Sequence, residues 1–375
     1  MATERITRRG FLAGAGTGLA ASLAAGASWA EIGDPAYLAA AKDAAGGFRL
    51  IGLDAGGAAL FDLALPDRGH AAAAHPDRAE AVFFARRPGT YALVVDCGAG
   101  RIAAELRAPE GRHFYGHGAF SADGATLYTT ENDYAAGEGR VGIWDAGAGY
   151  RRLGEVASGG VGPHEMLLMP DGETLAVANG GILTHPDSGR EKLNIPTMAP
   201  NLAYLRTRDG ALLETVEPAP ELRLNSLRHL AVAPDGLVAI AAQWQGVPED
   251  GVPLLALHGR GRPGLVWAEA DPLSLRAMEG YAGSVAFDGA GRMAAITGPR
   301  GGLLLAWDGE GAPAGIWRRA DVCGIAPAAT GWTATDGLGG VTHLGADLSV
   351  RRSVAHLVAW DNHLVRIGRN AHPQS

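Results

Sequence analysis

Several features that identify membrane-spanning or nucleic-acid-binding proteins are scarce or missing in this sequence. Its 375 residues include two cysteines and 6% aromatic residues, and the formal net charge is −8. An acidic chain without a cluster of lysine and arginine is a poor ligand for nucleic acids and anionic membranes. After residue 30 no apolar run approaches the roughly 20 residues that a transmembrane helix needs. Motifs for covalent haem attachment, dinucleotide binding and phosphate loops are also missing.

The two cysteines, Cys97 and Cys323, are predicted to remain unpaired. Cys97 follows the third strand of a repeated unit described below, whereas Cys323 precedes a first strand. Because successive strands alternate in direction, the two positions fall on opposite faces of the molecule, too far apart for disulfide geometry. A thiolate ligand at Cys323 is the alternative to a buried, unreactive thiol.

The first 30 residues have the features of an export signal. Residues 7–12, TRRGFL, form a twin-arginine motif, and a weakly apolar run rich in alanine and glycine follows. Ser28-Trp29-Ala30 has the small-x-small pattern of a cleavage site. A transmembrane anchor is the alternative, but the run is short and weakly apolar for a span. We therefore expect residues 1–30 to be a signal peptide that directs the protein to the periplasm.

Glycine, by contrast, is abundant at 56 residues, and much of it belongs to a repeated hairpin. The clearest copy is residues 162–181, GPHEMLLMPDGETLAVANGG, in which two short apolar runs flank a Pro-Asp-Gly turn. Related units begin at His70, Gly116, Arg228, Gly283 and Cys323. Self-similarity at roughly 40–50 residues, with two to four short strands per unit, is typical of a β-propeller.

The repeats predict an all-β fold, a seven-bladed β-propeller. Six blades are continuous and occupy residues 68–107, 116–156, 162–217, 228–276, 283–319 and 323–354. The seventh is split: residues 48–57 align with a second strand, and residues 362–367 supply the missing first strand. The C-terminal strand would thus pair with N-terminal strands and close the ring, which removes both free sheet edges. We expect one domain over residues 47–368, a lead-in over 31–46 and a loose tail over 369–375.

Motifs along nearly all of the chain after the signal resemble one protein family. In chain order, FYGHGAFS, GPHEMLL, ANGGILTHPDSGR, KLNIPTM, LRHLAV and YAGSVAFD are similar to segments of the DUF1513 family of bacterial periplasmic β-propellers. The resemblance implies twin-arginine export and an association with imelysin-type, iron-uptake-related proteins. It supplies no catalytic residues, because none are established for the family.

Histidine recurs at one position of the predicted blades. In a propeller the first strand of each blade lines the channel, and the residues before strand one and after strand two share a face. This position places several histidines, with nearby carboxylates, at one mouth of the channel. Neutral imidazoles with carboxylates suit a divalent transition metal or an iron chelate. The predicted metal ligands are His70, His117, Glu131, His164, Glu165 and His229.

The same mouth is predicted to carry further polar side chains that bind a ligand. Arginine can hold an anion through two hydrogen bonds, and amides can orient metal ligands. An insertion in blade three, residues 182–200, is long enough to fold over the mouth. The predicted ligand-binding residues are Arg87, Asn132, Asn179, His185, Asn194, Gln243, Arg300 and Asp336.

Three functions are compatible with these patterns. The first is a monomeric, exported protein that binds a ligand or partner at one channel mouth in metal or iron acquisition, with imelysin-type partners. The second is a metal-dependent hydrolase or lactonase that uses the same face, and the third is a protein-docking platform. The sequence has no Gly-x-Ser-x-Gly nucleophile elbow, which favours a binding protein over an enzyme. A structural role for His117 also stays open, because Gly-His before a first strand and Trp144-Asp145 are typical of WD-type blades.

Overall fold

The computed structural model describes residues 26–86, 89–189 and 191–367. These residues form seven four-stranded antiparallel sheets. The innermost strands of neighbouring sheets contact one another in a closed circle, so the sheets are blades around a central channel. The seven-bladed β-propeller predicted from the repeats is confirmed.

The strands follow the chain from the N-terminus. A short 3-10 helix (Ala30–Ile32) precedes the first strands, β1 (Tyr37–Asp43), β2 (Phe48–Leu53) and β3 (Ala59–Leu65), which belong to blade seven. Blade one is β4 (Gly69–Ala74), β5 (Glu80–Ala85), β6 (Tyr91–Asp96) and β7 (Arg101–Arg107). Blade two is β8 (Arg112–Phe120), β9 (Thr126–Asp133), β10 (Glu138–Asp145) and β11 (Arg151–Ala157). Blade three is β12 (Pro163–Leu168), β13 (Thr174–Asn179), β14 (Asn201–Arg206) and β15 (Leu212–Val216).

The remaining blades follow in the same way. Blade four is β16 (Asn225–Val232), β17 (Leu237–Trp244), β18 (Leu255–Gly259) and β19 (Val266–Trp267), and α1 (Pro272–Ala277) leads to blade five; blade five is β20 (Ser284–Phe287), β21 (Met293–Gly298), β22 (Leu303–Asp308) and β23 (Pro313–Arg318); blade six is β24 (Val322–Ala328), β25 (Gly331–Asp336), β26 (Gly340–Gly345) and β27 (Val350–Ala355); β28 (Val358–Arg366) completes blade seven. The described residues include no helix that is long and apolar enough to cross a bilayer.

Asp-Gly turns explain why the inner hairpins recur. Asp171 accepts hydrogen bonds from two backbone amides of its own turn at 2.9 Å, and Gly172 follows with φ of +69°. That left-handed conformation is accessible to glycine without strain. Asp123-Gly124 and Asp235-Gly236 repeat the arrangement in blades two and four. Each turn therefore fixes the register of an inner strand against its neighbour.

The closing blade differs from the sequence prediction in one strand. Its order is β28-β1-β2-β3, so the C-terminal strand is innermost and pairs with β1. The sequence instead predicts that residues 362–367 lie beside Phe48–Leu53, which is β2, and that residues 31–46 are a lead-in outside the ring. The ring instead begins at Tyr37. The strand was missed because β1 is rich in alanine, which has a low intrinsic preference for strands.

Apolar side chains fill the spaces between neighbouring blades, because each sheet packs on both faces. Phe84, Phe114 and Trp144 lie together between blades one and two. Trp332 of blade six packs against blade five. This arrangement leaves the inner strands free to present other side chains to the channel. The predicted signal falls largely on residues 1–25 and the predicted tail on 369–375, which lie outside the described residues.

Both cysteines are free and buried, and they belong to different apolar clusters. Burial raises the pKa of each thiol to about 12. We therefore expect both thiols to react with a maleimide only after unfolding, and unfolded, non-reduced protein to contain two reactive thiols. Rapid labelling of folded protein, or a disulfide found by mass spectrometry, would contradict this placement.

Ring closure gives a second prediction. Deletion of the chain from Val358 onward removes the innermost strand of blade seven and exposes the edges of β1 and the neighbouring blades. We expect the shortened protein to lose its cooperative thermal transition, because six complete blades would remain without a closed ring. Deletion of residues 369–375 is the control and should leave the melting temperature unchanged. A cooperative transition near the wild-type temperature after the longer deletion would show that closure contributes little.

Candidate functional site

Irregular pairing recurs on the innermost strands at the positions that carry histidine. The register of β4 against β5 shifts between Gly69 and Ala72, and comparable shifts occur in β8, β12, β16, β24 and at the β28–β1 pair. A β-bulge adds an unpaired residue and redirects its side chain. His70, His117, His164 and His363 lie within these shifts, and His229 lies beside one.

The redirected side chains meet in the channel, and we call the five of them the histidine cluster. His117 contacts all the others, with ring centroids 4.9 Å from His70, 5.1 Å from His164, 5.6 Å from His229 and 4.9 Å from His363. The Nε2 atoms of His117 and His70 are 3.2 Å apart. Two nitrogens bound to one tetrahedral ion with bonds of about 2.1 Å would be separated by roughly 3.4 Å, so this pair is already at coordinating distance.

A glycine in blade two makes room for the cluster. Gly116 has a φ of +106°, and a Cβ at this position would overlap the ring of His70. Since a side chain would be strained here as well as crowded, glycine satisfies two requirements at once. The bulge of β8 and the position of the blade-one imidazole are therefore coupled.

Glu165 fixes the orientation of two of the imidazoles. Its Oε2 accepts a hydrogen bond from Nδ1 of His229 at 3.0 Å and from the amide of Leu230 at 3.2 Å. Its Oε1 is 3.5 Å from Nδ1 of His117. A carboxylate at Nδ1 favours the tautomer whose Nε2 carries a free lone pair, the arrangement that supports metal-ligating histidines.

Burial favours the neutral form of four of the five imidazoles. Burial, followed by the nearby histidines, lowers the pKa of His70, His164 and His363 well below the usual 6.5. Burial also lowers the pKa of His229, although Glu165 opposes this shift. For Glu165 burial alone raises the pKa, but His117 and His229 outweigh it and the net shift is downward. At neutral pH His70, His164, His229 and His363 are thus uncharged nitrogen donors beside one carboxylate.

The geometry fits a metal ion in two overlapping ways. His70, His117 and His164 offer one set of three ligand atoms, and His117, His229 and His363 offer another; within each set the atoms lie within 4.8 Å of one another. The first set is partly exposed and the second is buried. In the described structure Nδ1 of His164 and Nε2 of His363 are buried without a hydrogen-bond partner, which is costly unless another group satisfies them.

Glu131 does not belong to the cluster, contrary to the sequence prediction. It is fully buried, and Arg152 donates to its two oxygens at 2.7 and 2.9 Å. Thr129 donates to Oε1 at 2.7 Å. The side chain lies against Gly142 of β10, within the blade rather than in the channel. The carboxylate that the structure does bring to the imidazoles is Glu165.

Most of the predicted ligand-binding residues stabilise loops and blades instead. Asn179 bonds to Ser158 and Asn201, and Asn132 bonds to His113 and to the carbonyl of Thr184. In the insertion, His185 accepts a hydrogen bond from the amide of Asp187, and Asn194 is hydrogen-bonded to the backbone of Leu183 and Gly181. Gln243 donates to the carbonyl of Ala282, and Arg300 stacks on Tyr281. Asp336 pairs with Arg319 and accepts hydrogen bonds from turn amides. Arg87 lies outside the described residues.

His363 is the site residue that the sequence analysis missed. It lies on β28, which has no following Asp-Gly hairpin and therefore no repeat signal of its own. The prediction that residues 362–367 are the first strand of the split blade did contain a signal for it. Aligning that strand with the other first strands would have placed this histidine at the recurring position.

A comparison with protein-family models matches residues 63–367 to one family, described as a protein of unknown function. The chain belongs to the DUF1513 family. No match was found among curated proteins. Among solved structures, the DUF1513 protein is similar to a chain of Kuenenia stuttgartiensis hydrazine synthase, with 14% identity and a TM-score of 0.57 over 83% of this chain and 89% of that one. At this identity the likeness shows the fold alone.

A cavity of about 240 Å³ adjoins the histidine cluster of this DUF1513 protein. Glu165, His229 and His363 form one side, and inner-strand residues of blades five and six, such as Ser284 and Ile325, form the other. A second cavity of about 290 Å³ shares lining residues with it and reaches the end of the channel away from the insertion. The cluster is therefore approached by open space on the side where blades five and six contribute no imidazole.

The neutral imidazoles predict a pH dependence of stability. Because the folded state lowers the pKa of His70, His164 and His363, the unfolded chain binds protons below about 6.5 that the folded chain does not. The stability of metal-free protein, measured by urea unfolding with a chelator, should therefore fall from pH 7.5 to 5.5, by up to about 1.4 kcal/mol per pH unit for each proton. The His363→Gln variant should show a shallower dependence. Equal slopes in the two proteins would contradict the assignment.

Proposed function

We propose that this DUF1513 protein binds one divalent transition-metal ion in the histidine cluster. The observation that carries the proposal is the convergence of five imidazoles from five blades on one point of the channel, with Glu165 bonded to Nδ1 of His229 and facing Nδ1 of His117. Four of the imidazoles lie within register shifts of their own inner strands, and His229 lies beside one. Packing alone does not explain why polar rings should be gathered in a channel.

The donor set favours some metals over others. Imidazole nitrogen suits Zn(II), Cu(II), Ni(II) and Fe(II), whereas Mg(II) and Ca(II) prefer oxygen. A single carboxylate beside the ligands offsets part of the ion's charge without occupying a coordination position. The two ligand sets share His117, so they describe alternative positions for one ion, one partly exposed and one buried. We therefore expect a stoichiometry of one ion per chain.

The surroundings of His117 support this role over a WD-type structural one. Its ring partners come from other blades, His70 of blade one and Glu165 of blade three. The buried polar network inside blade two is built from other residues, in which Trp144 donates to Thr129 and Arg152 pairs with Glu131. That network is complete without the histidine.

The site of action is part of the same proposal. The twin-arginine motif supports export to the periplasm, and the family resemblance supports metal or iron acquisition with imelysin-type partners. Metal analysis of protein isolated from its native periplasm tests this directly. Protein that carries zinc, copper or iron supports the proposal, and metal-free protein that also fails to bind these ions in vitro overturns it.

The cavity beside the cluster favours one second candidate, a metal-dependent hydrolase. About 240 Å³ next to His229 and His363 would admit water and a small substrate to the open side of an ion. A bound ion would supply Lewis-acid activation of that water. Hydrolysis of a panel of small lactones and esters that requires metal and is lost in His363→Gln would favour this function over simple binding.

Glu165 contacts the histidine cluster and Glu131 is buried inside a blade, so substitutions of these two carboxylates give a matched test of the metal site. Titration calorimetry of wild type with Zn(II), Cu(II), Fe(II) and ferric citrate should show binding of one ion. Glu165→Gln should weaken that binding by roughly 10- to 100-fold, the usual effect of removing a partner of a ligating histidine. Glu131→Gln should lower the melting temperature, because it breaks a buried ion pair, and leave the affinity unchanged. His363→Gln should weaken binding at least as strongly as Glu165→Gln.

Two outcomes would reject the metal site, and a third would exclude one of its two ligand sets. Wild type that binds none of these ions removes it outright. Equal loss of affinity in Glu131→Gln and Glu165→Gln would show that the effect follows stability and not contact with the cluster. After either outcome the protein-docking interpretation would take precedence. Affinity retained in His363→Gln would instead exclude the buried ligand set and leave the set formed by His70, His117 and His164.

A further inference from the structure

The segment just before the propeller is built into the junction between its first and last blades. Trp29 is 4% exposed and packs in the apolar cluster that joins Leu38 and Leu50 of blade seven to Phe83 of blade one. Its indole Nε1 donates to the carbonyl of His75 at 2.8 Å. This tryptophan thus lies at the contact between the blade that closes the ring and the blade beside it.

The backbone around Trp29 also forms hydrogen bonds with the folded domain. The amide of Ala79 donates to the carbonyl of Ala27 at 2.6 Å, and the amide of Asp34 donates to the carbonyl of Trp29 at 2.9 Å. Ser28 forms an isolated antiparallel bridge with Arg78. These contacts make the residues from Ala27 onward part of the folded domain.

This placement conflicts with cleavage after Ala30, the position that Ser28-Trp29-Ala30 suggests. A chain that began at Glu31 would lack Trp29 and leave a void between blades one and seven, which destabilises a packed core. A second small-x-small pattern, Ala25-Gly26-Ala27, lies immediately upstream. Cleavage there would keep the tryptophan.

We propose that the bond between Ala27 and Ser28 is the processing site and that the mature chain begins at Ser28. The proposal depends on export, part of the proposed function, but not on metal binding. A membrane-bound signal peptidase would supply the activity: water adds across the bond, leaving a carboxylate on Ala27 and an α-ammonium on Ser28. Gly26 is exposed and Ala27 and Ser28 are partly exposed, so the peptidase needs to displace only these few residues from the surface.

The new N-terminus would find a charged partner already in place. The backbone nitrogen of Ser28 lies 2.6 Å from Oε2 of Glu31, and the Ser28 hydroxyl donates to the same oxygen at 2.9 Å. The neutral amide would become an ammonium group beside a carboxylate, which strengthens the hydrogen bond. Cleavage releases the carbonyl of Ala27 from Ala79, and this ion pair offsets the loss at the end of the segment.

The test uses the full chain with its own leader, expressed in a bacterium that has the twin-arginine pathway. Intact mass and N-terminal sequencing of periplasmic protein should give Ser28 as the first residue. Ala27→Leu should block processing and leave precursor, because a large residue replaces the small one before the bond. Ala30→Leu is the matched control: it makes the same change at an exposed position and should leave processing unaffected. A mature chain that begins at Glu31, an uncut periplasmic protein, or a block by Ala30→Leu alone would each overturn the proposal.

A stability measurement tests the structural reason separately. Purified chains that begin at Ser28 and at Glu31 should differ in melting temperature by several degrees, with the longer chain the more stable. Trp29→Ala in the longer chain should remove most of that difference. Equal melting temperatures would show that Trp29 does not hold the junction, and the argument for the upstream site would fail. Neither result depends on whether the protein binds metal.

Discussion

The pairing of β28 with β1 holds the two ends of the chain in one sheet, and the rest of the molecule depends on it. Without it, blade seven would have three strands and an unpaired inner edge. With it, every inner strand has two neighbours around the channel. The same pairing brings His363 into the histidine cluster and creates the seam in which Trp29 is buried. This one strand pairing thus completes both the ring and the candidate site.

Buried polar residues of the ring either stabilise a single blade or line the channel. Buried pairs such as Arg152 with Glu131 satisfy each other within a blade and stabilise its strands. The cluster in the channel is less completely satisfied, since His164 and His363 each retain a buried nitrogen without a partner in the described structure. Buried polar groups of this kind carry a cost that natural proteins tolerate mainly at functional positions.

The sequence predicted the fold well because its signals are local. Pro-Asp-Gly turns between short apolar runs indicate hairpins, and their repetition indicates blades. The convergence of His70, His117, His164 and His229 followed from one residue type at one blade position. β1 was missed because it is rich in alanine. His363 was missed because it lies on the strand that pairs with β1, where the inner hairpin is made from opposite ends of the chain and has no turn to mark it.

Glu131 and Glu165 were both predicted as metal ligands, and the structure brings only Glu165 to the imidazoles, for a different physical reason. Side chains alternate between the two faces of a strand, so a face can be read from sequence only while the pairing stays regular. The bulge between Pro163 and Glu165 interrupts that alternation and turns Glu165 towards the channel. β9 is regularly paired with β10 and keeps Glu131 against its own blade. A bulge leaves no dependable mark in a single sequence, and only the three-dimensional pairing reveals it.

Two neighbouring blades contribute no imidazole to the channel, and this gap bears on how readily a bound ion would exchange its ligands. Blade five presents Ser284 from a regularly paired inner strand, and blade six presents Gly324 within its register shift, so neither offers nitrogen to the channel centre. If the cluster holds an ion, as we propose, an incoming ligand could reach it from the cavity without displacing a histidine. The ion would then exchange its ligands more easily than at a site enclosed by protein on every side.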